Sequence, residues 1–310
     1  MRAGVIGVGV MGEHHVRNYV ELGCESVALY DSNAQRLGDV AAKYGAIPCR
    51  SLDAFLDAVD SVSLCSPTTS HGDVALQVLK AGKHLLIEKP IASTVDEAAS
   101  ILEAAATAGC VTAVGHLERF NPAVVALKNA IDKGRLGDVV SITTRRVGPL
   151  TPQTRDVSVI LDLGVHDIDI ISMLFAGDAE EVFAVGGSRH CKFEDYASLA
   201  LRYSGNRVGM LDVNWLTPRK IRTLTAVGTL AVAELNYASQ TLVIIDGGED
   251  SETPVERAEP LRCELAAFLT AIVTGNRSPL LASLSEATSA LRVALAAVDA
   301  VRQGHSVRLH

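Results

Sequence analysis

The chain has 310 residues, 48% of them hydrophobic, and a formal net charge of −8. That length predicts two domains, and the apolar content excludes a disordered chain. The negative balance excludes generic binding to nucleic acid or anionic membranes, and no apolar stretch reaches the roughly 18 residues of a membrane helix. Six widely spaced cysteines without a CxxC pair predict free thiols, with neither zinc nor any other metal site.

Met1 to Gly7 enters a strand at once, without the long apolar segment and small-residue cleavage site of a signal peptide. A cytoplasmic location is therefore expected. Residues 3–8 form a short apolar strand running into Gly7-Val8-Gly9-Val10-Met11-Gly12, and an amphipathic helix continues to Leu22. Residues 26–31 are a second strand ending in Asp31, and 33–43 a helix stopping near Gly45. Residues 61–65 are a third strand, followed by the loop Ser66-Pro67-Thr68-Thr69-Ser70-His71 and a helix ending at Gly82. The apolar run 84–87 ends in Glu88-Lys89-Pro90. Thr94 to Glu97 has capping-box form and opens a helix to Gly109, before a strand at 111–114. Unbroken apolar strands alternating with helices predict a parallel, doubly wound sheet covered on both faces.

GxGxxG between a strand and a helix, with an acid at the end of the next strand, is a dinucleotide fingerprint. Gly7 allows the tight turn, Gly9 lets backbone approach the pyrophosphate, and Gly12 lets the helix pack on the strand. Asp31 can accept hydrogen bonds from the adenosine ribose and would repel a 2′-phosphate, so NAD is favoured over NADP. Arg36 tempers that preference. Lys89 is the odd residue, because a buried strand has no ordinary use for a lysine. It stands just past the carboxyl edge of a sheet, where open α/β folds bind ligands.

The texture changes after His116. Asn121 as N-cap and Pro122 in the first turn start a helix through Ile131. Strands are expected at 139–146, 183–185, 196–203, 208–215, 224–235 and 242–245. Residues 197–203 alternate apolar and polar, as in an antiparallel sheet with one core face. Residues 160–174 read as a helix on which Asp162 and His166, four apart, share a face. Asp169 is a further candidate for the His166 face. Helices at 262–274 and 285–302 complete the second domain. Domain bounds of 1–118 and 119–310 follow.

Together these residues resemble the Gfo/Idh/MocA family over nearly the whole chain. The resemblance is carried by Gly7, Gly9 and Gly12, Asp31, Ser66-Pro67-Thr68, Glu88-Lys89-Pro90, and Asp162 with His166. It implies a Rossmann domain followed by an α/β domain with a large, mostly antiparallel open sheet. It also implies a homodimer or homotetramer built through that sheet. It places Lys89 beside the reacting carbon, His166 as acid/base with Asp162 near it, and Glu88 on the nicotinamide ribose. The expected cofactor set is Gly7, Gly9, Val10, Met11, Gly12, Asp31, Ser66, Pro67, Thr68, His71, Glu88, Lys89 and Arg119. The expected substrate set is Lys89, Asn121, Arg155, Asp162 and His166.

The segments 115–122, 145–149 and 214–218 look like those of the UDP-N-acetylglucosamine 3-dehydrogenase subgroup. The expected activity is thus NAD-dependent oxidation of a secondary hydroxyl on a sugar, foremost a nucleotide sugar. Arg145, Arg146, Arg155, Arg219, Lys220 and Arg222 are candidate phosphate donors, and Trp215 either stacks on a ligand or fills an interface. The alternatives are an oxidoreductase on a free sugar or inositol, an NAD-dependent glycosidase, and a non-catalytic NAD-binding module.

Overall fold

The computed structural model describes residues 1–150 and 157–309. The chain divides into two compact units, one of Met1–Leu117 with Glu259–Thr288 and one of Glu118–Ala258 with Ser289–His310. A single cut at 118/119 thus needs correcting, because residues 259–288 return to the first unit. The reason is physical. The helix α8 (Pro260–Thr274) packs on α1 (Val10–Glu21). Asn18 donates to Glu259 at 3.1 Å, Arg17 also pairs with Glu259, and Arg262 reaches Glu21 at 2.9 Å. The Val114 N–H then donates to the Ala282 carbonyl at 3.1 Å.

The first unit holds a six-stranded parallel sheet in the order β3-β2-β1-β4-β5-β6. Its strands are β1 (Arg2–Ile6), β2 (Ser26–Tyr30), β3 (Ile47–Pro48), β4 (Ser61–Leu64), β5 (His84–Glu88) and β6 (Thr112–Gly115). The strand order reverses between β1 and β4, and the crevice beyond the strand ends at such a point is where this fold binds dinucleotides. Helices α2 (Ala34–Tyr44), α4 (His71–Lys80) and α5 (Val95–Ala108) match the periodic segments. Thr94 caps α5 by accepting from Glu97 N–H at 3.2 Å, and the Glu97 carboxylate accepts from Ser93 N–H at 2.9 Å. Both β3 and the short α3 (Leu52–Ala58) were absent from the sequence expectation.

The second unit is built on a nine-stranded sheet, ordered β14-β13-β12-β11-β7-β10-β9-β8-β15. Central strands are β7 (Val139–Pro149), β8 (Ala179–Gly187), β9 (Tyr196–Tyr203), β10 (Arg207–Asn214) and β11 (Leu216–Gly228). All its pairings are antiparallel except β10 with β7. The expected strand at 224–235 is two strands, β11 and β12 (Ala231–Asn236), folded back on each other around Thr229-Leu230. The hairpin continues through β13 (Thr241–Asp246) to β14 (Glu249–Thr253), and β15 (Val307–Arg308) adds the far edge. In β9, Ala197, Leu199, Leu201 and Tyr203 are buried, as their alternation predicts. Helices α6 (Pro122–Asp132), α7 (Val165–Phe175) and the buried side of α9 (Leu284–Gln303) contribute to the core on that face. The opposite face exposes Phe183, Val185, Val208 and Met210.

Candidate active site

In the first unit the glycines do the jobs their spacing implies. Gly7 has φ +85°, and a Cβ there would lie 2.6 Å from Ser66 N. A Cβ on Gly12 would lie 1.8 Å from the Gly7 carbonyl oxygen, so the helix can sit this close only without a side chain. At Gly9 a Cβ would meet nothing within 4 Å, which leaves open space where a pyrophosphate would approach. Gly9 caps α1 without a side chain, and the first-turn N–H groups of Val10, Met11 and Gly12 have no intrahelical acceptor. Those donors and the helix dipole suit an anion. Asp31 follows β2 and accepts from the N–H groups of Val8 and Asn33, each at 2.7 Å. Carboxylate oxygens so placed retain capacity for a ribose hydroxyl. The residues present therefore fit NAD.

Across the switch point, the Ser66 hydroxyl bonds that of Ser70 at 2.7 Å, and the Ser70 hydroxyl donates to the Pro67 carbonyl at 2.8 Å. Thr68 opens the short turn Thr68–Ser70. His71 is 1% exposed, with Nδ1 3.0 Å from the Pro90 carbonyl and Nε2 2.9 Å from the Ser66 carbonyl. It thereby lies between the Ser66 loop and the turn that carries Lys89, and its neutral ring donates to one of the two carbonyls. Burial lowers its pKa, against the pull of those carbonyls. Lys89 is half-buried, and its peptide bond to Pro90 is cis.

Glu88 belongs to a buried chain that sequence reasoning missed. Tyr19 Oη lies 2.7 Å from Ser63 Oγ, and Ser63 Oγ lies 3.0 Å from His15 Nδ1. His15 Nε2 is 2.9 Å from Glu88 Oε1, while the Lys89 N–H donates to Glu88 Oε2 at 3.2 Å. With the His15 proton on Nε2, Tyr19 donates to Ser63, Ser63 to His15 and His15 to Glu88. Each link is then satisfied once. Gly115 packs closely beside it: a Cβ there would lie 2.8 Å from Glu88 Oε1, so a side chain would displace the carboxylate. The available signals were His15 and Tyr19 four apart on one helix face and a serine inside a buried strand.

In the second unit, Asp162 lies in a π-helical turn, Ile160–Gly164, that leads directly into α7. The Val165 N–H donates to the Ile160 carbonyl, five residues back. Such bulges are frequent at functional sites. A cavity of about 180 Å³ is lined by Asp162, Leu163, Arg146, Trp215, Lys220 and Arg222, with the β7 backbone from Val147 to Pro149. His166 is half-buried and is not among the lining residues.

The arginines and aspartates sort by burial. Arg146 is 2% exposed, bonds Asp167 through Nη2 at 3.0 Å and Glu118 through Nη1 at 2.8 Å, and stacks 4.8 Å from the Tyr237 ring centroid. Arg145 faces the other way and pairs with Asp212 at 3.2 Å. Arg222 has Glu118 at 3.7 Å, and burial, then neighbouring Arg146, lowers its pKa. Arg219 is exposed. Arg119 is buried in a bidentate pair with Asp169, at 2.8 and 2.7 Å. Asp169, considered for the His166 face, is thus the anchor of Arg119. Asn121 caps α6 and donates to the Tyr237 carbonyl at 3.1 Å, so its side chain works within the fold. Arg155 lies outside the described residues.

A 3-2-1-4-5-6 parallel sheet with this glycine loop, followed by a mostly antiparallel open sheet, defines a dinucleotide-binding protein of the Rossmann class. The chain belongs to the Gfo/Idh/MocA family. Residues 1–116 match the oxidoreductase family with an NAD-binding Rossmann fold, and residues 124–234 match the GFO/IDH/MocA C-terminal domain. The UDP-N-acetylglucosamine 3-dehydrogenase of Acidithiobacillus ferrooxidans is 30% identical over 88% of each chain. Its solved structure superposes with a TM-score of 0.90 over 98% of both chains. The scyllo-inositol 2-dehydrogenase (NAD+) of Bacillus subtilis is 25% identical, covering 100% of this chain and 96% of its own. Levoglucosan dehydrogenase, solved with NADH and L-sorbose, shares the fold at a TM-score of 0.88 and 18% identity, over 100% of this chain and 99% of its own. The protein is thus an NAD-dependent oxidoreductase of a family of sugar and polyol dehydrogenases.

Proposed function

We propose that this enzyme oxidises a secondary hydroxyl of a nucleotide sugar, as the Acidithiobacillus relative's name describes for its own substrate. The observation that carries this reading is the cavity in the second unit. Asp162 suits sugar hydroxyls, Trp215 offers an apolar wall, and Lys220 with Arg222 supplies cations that a neutral polyol would not need. Arg222 is the foremost phosphate donor, because its carboxylate neighbour Glu118 is already held more closely by Arg146.

NAD, when bound, supplies the hydride-accepting nicotinamide. His166 takes the hydroxyl proton, and Asp162 holds the sugar or orients the imidazole. The Lys89 ammonium stabilises the developing alkoxide and orients the hydroxyl. The apolar open face of the nine-stranded sheet supports a homo-oligomer. Met210, Ala200 and Phe183 stand side by side across β10, β9 and β8, and Met210 and Phe183 are 41% and 43% exposed.

The test is NADH production with UDP-sugars, free sugars and inositols. Turnover confined to UDP-sugars is expected; turnover confined to inositols would overturn the substrate reading. Sugar release without net NADH would instead indicate a glycosidase, and NAD binding without any turnover a sensing module. Lys89→Ala is expected to lower turnover by about 10²–10⁴-fold while NAD still binds. Undiminished turnover would remove Lys89 from the mechanism.

A further inference from the structure

The adenosine end of the fingerprint carries two conflicting signals. Asp31 favours a ribose hydroxyl, whereas an arginine nearby, as Arg36 is in sequence, usually accommodates a 2′-phosphate. The structure puts both on one residue. Asp31 accepts the Val8 N–H at 2.7 Å, and Arg36 donates through Nε to the Val8 carbonyl at 2.9 Å. The guanidinium is therefore fixed at the ribose end of the loop.

Its outer edge is turned to Glu13, in the first turn of α1, which it meets in a short ion pair. The other Glu13 oxygen accepts from Lys43 Nζ at 2.8 Å and from Tyr44 Oη at 3.2 Å. One carboxylate thus holds both cations of this corner. The Lys43 bond, with those from Arg36 and Tyr44, pulls the Glu13 carboxyl down to about 2 against partial burial. Glu13 therefore stays ionised throughout the working pH range.

We propose that Glu13 determines cofactor selectivity. It engages Arg36 and Lys43, so a 2′-phosphate entering beside Asp31 meets two carboxylates, and the two cations nearby are already paired with one of them. A dianion there competes with Glu13 for Arg36 and sits near the Glu13 carboxylate, which Lys43 and Tyr44 keep in place. The neutral 2′-hydroxyl of NAD requires no such competition. The inference rests on dinucleotide binding by the first unit, not on the nucleotide-sugar reading.

The test is calorimetric titration of the full chain with NAD+ and NADP+ in the absence of substrate. Glu13→Gln is expected to tighten NADP+ binding by about tenfold or more, the scale of one gained charge-assisted hydrogen bond, while NAD+ binding persists. Adding Arg36→Ala should abolish that gain, and Arg36→Ala alone should leave NADP+ affinity near its original value. Raised ionic strength should shrink the gain. Unchanged NADP+ affinity in both Glu13→Gln and Glu13→Ala, with NAD+ still bound, would overturn the proposal and assign exclusion to Asp31 alone. Loss of NAD+ binding in the folded variants would overturn it too, by making Glu13 a support of the glycine loop.

Discussion

At the scale of the residue, Lys89 and Glu88 show how one dipeptide divides its labour. Lys89 stands at the sheet's carboxyl edge, and Glu88 turns inward to His15. His15→Ala removes the donor to a buried carboxylate and leaves Ser63 without its ring partner. Stability to urea is expected to fall by about 1–3 kcal/mol. His15→Gln, which can present an N–H towards Glu88, should restore part of the loss. Equal stability of the alanine variant and the parent would show that the chain carries no load. Lys89, Asp31 and the glycines were legible in the sequence because their chemistry depends on local strand and loop positions. The His15 chain was not, since its partners lie 48 and 73 residues away. Nor was the pairing of Arg36, which depends on where Glu13 meets α2.

At the scale of the element, α7 and β7 are locked by ions rather than by apolar contact alone. Asp167→Ala would leave Arg146 buried beside Glu118 only, and a loss of about 3–5 kcal/mol is expected in chemical unfolding. An Asp167→Ala variant as stable as the parent would refute the pairing's role. The start of β5 carries a pH dependence. His84 Nδ1 accepts the Val111 N–H at 3.0 Å, which needs a neutral ring, and burial lowers its pKa despite Asp60. His71 is lowered in the same direction. The unfolded chain then binds more protons than the folded one just below the ordinary histidine value of about 6.5. The contribution is complete above that value and is lost as pH falls through the lowered folded value. His84→Asn keeps an acceptor that does not titrate, so the fall in stability from neutral to mildly acidic pH should become shallower. An unchanged slope would exclude His84. The helix at 160–174 was legible from its apolar period, but its π-helical turn was not, because i→i+5 bonding leaves no local mark in this sequence.

At the scale of the whole molecule, the proposed homo-oligomer rests on the exposed apolar side chains of the nine-stranded sheet's open face. Phe183→Asp with Met210→Asp is expected to lower the sedimenting mass of an oligomer to that of the single chain. An unchanged mass would move the interface elsewhere. The sequence by itself determined the parallel sheet, the glycine loop and the family. Each of these follows from short-range periodicity or from motifs a few residues long. Only the tertiary structure decided that residues 259–288 rejoin the first unit, that Arg146 is buried while Arg145 is exposed, and that Glu13 holds Arg36. Those outcomes depend on which distant charges and surfaces meet when the chain folds back, and burial then fixes which charges must pair.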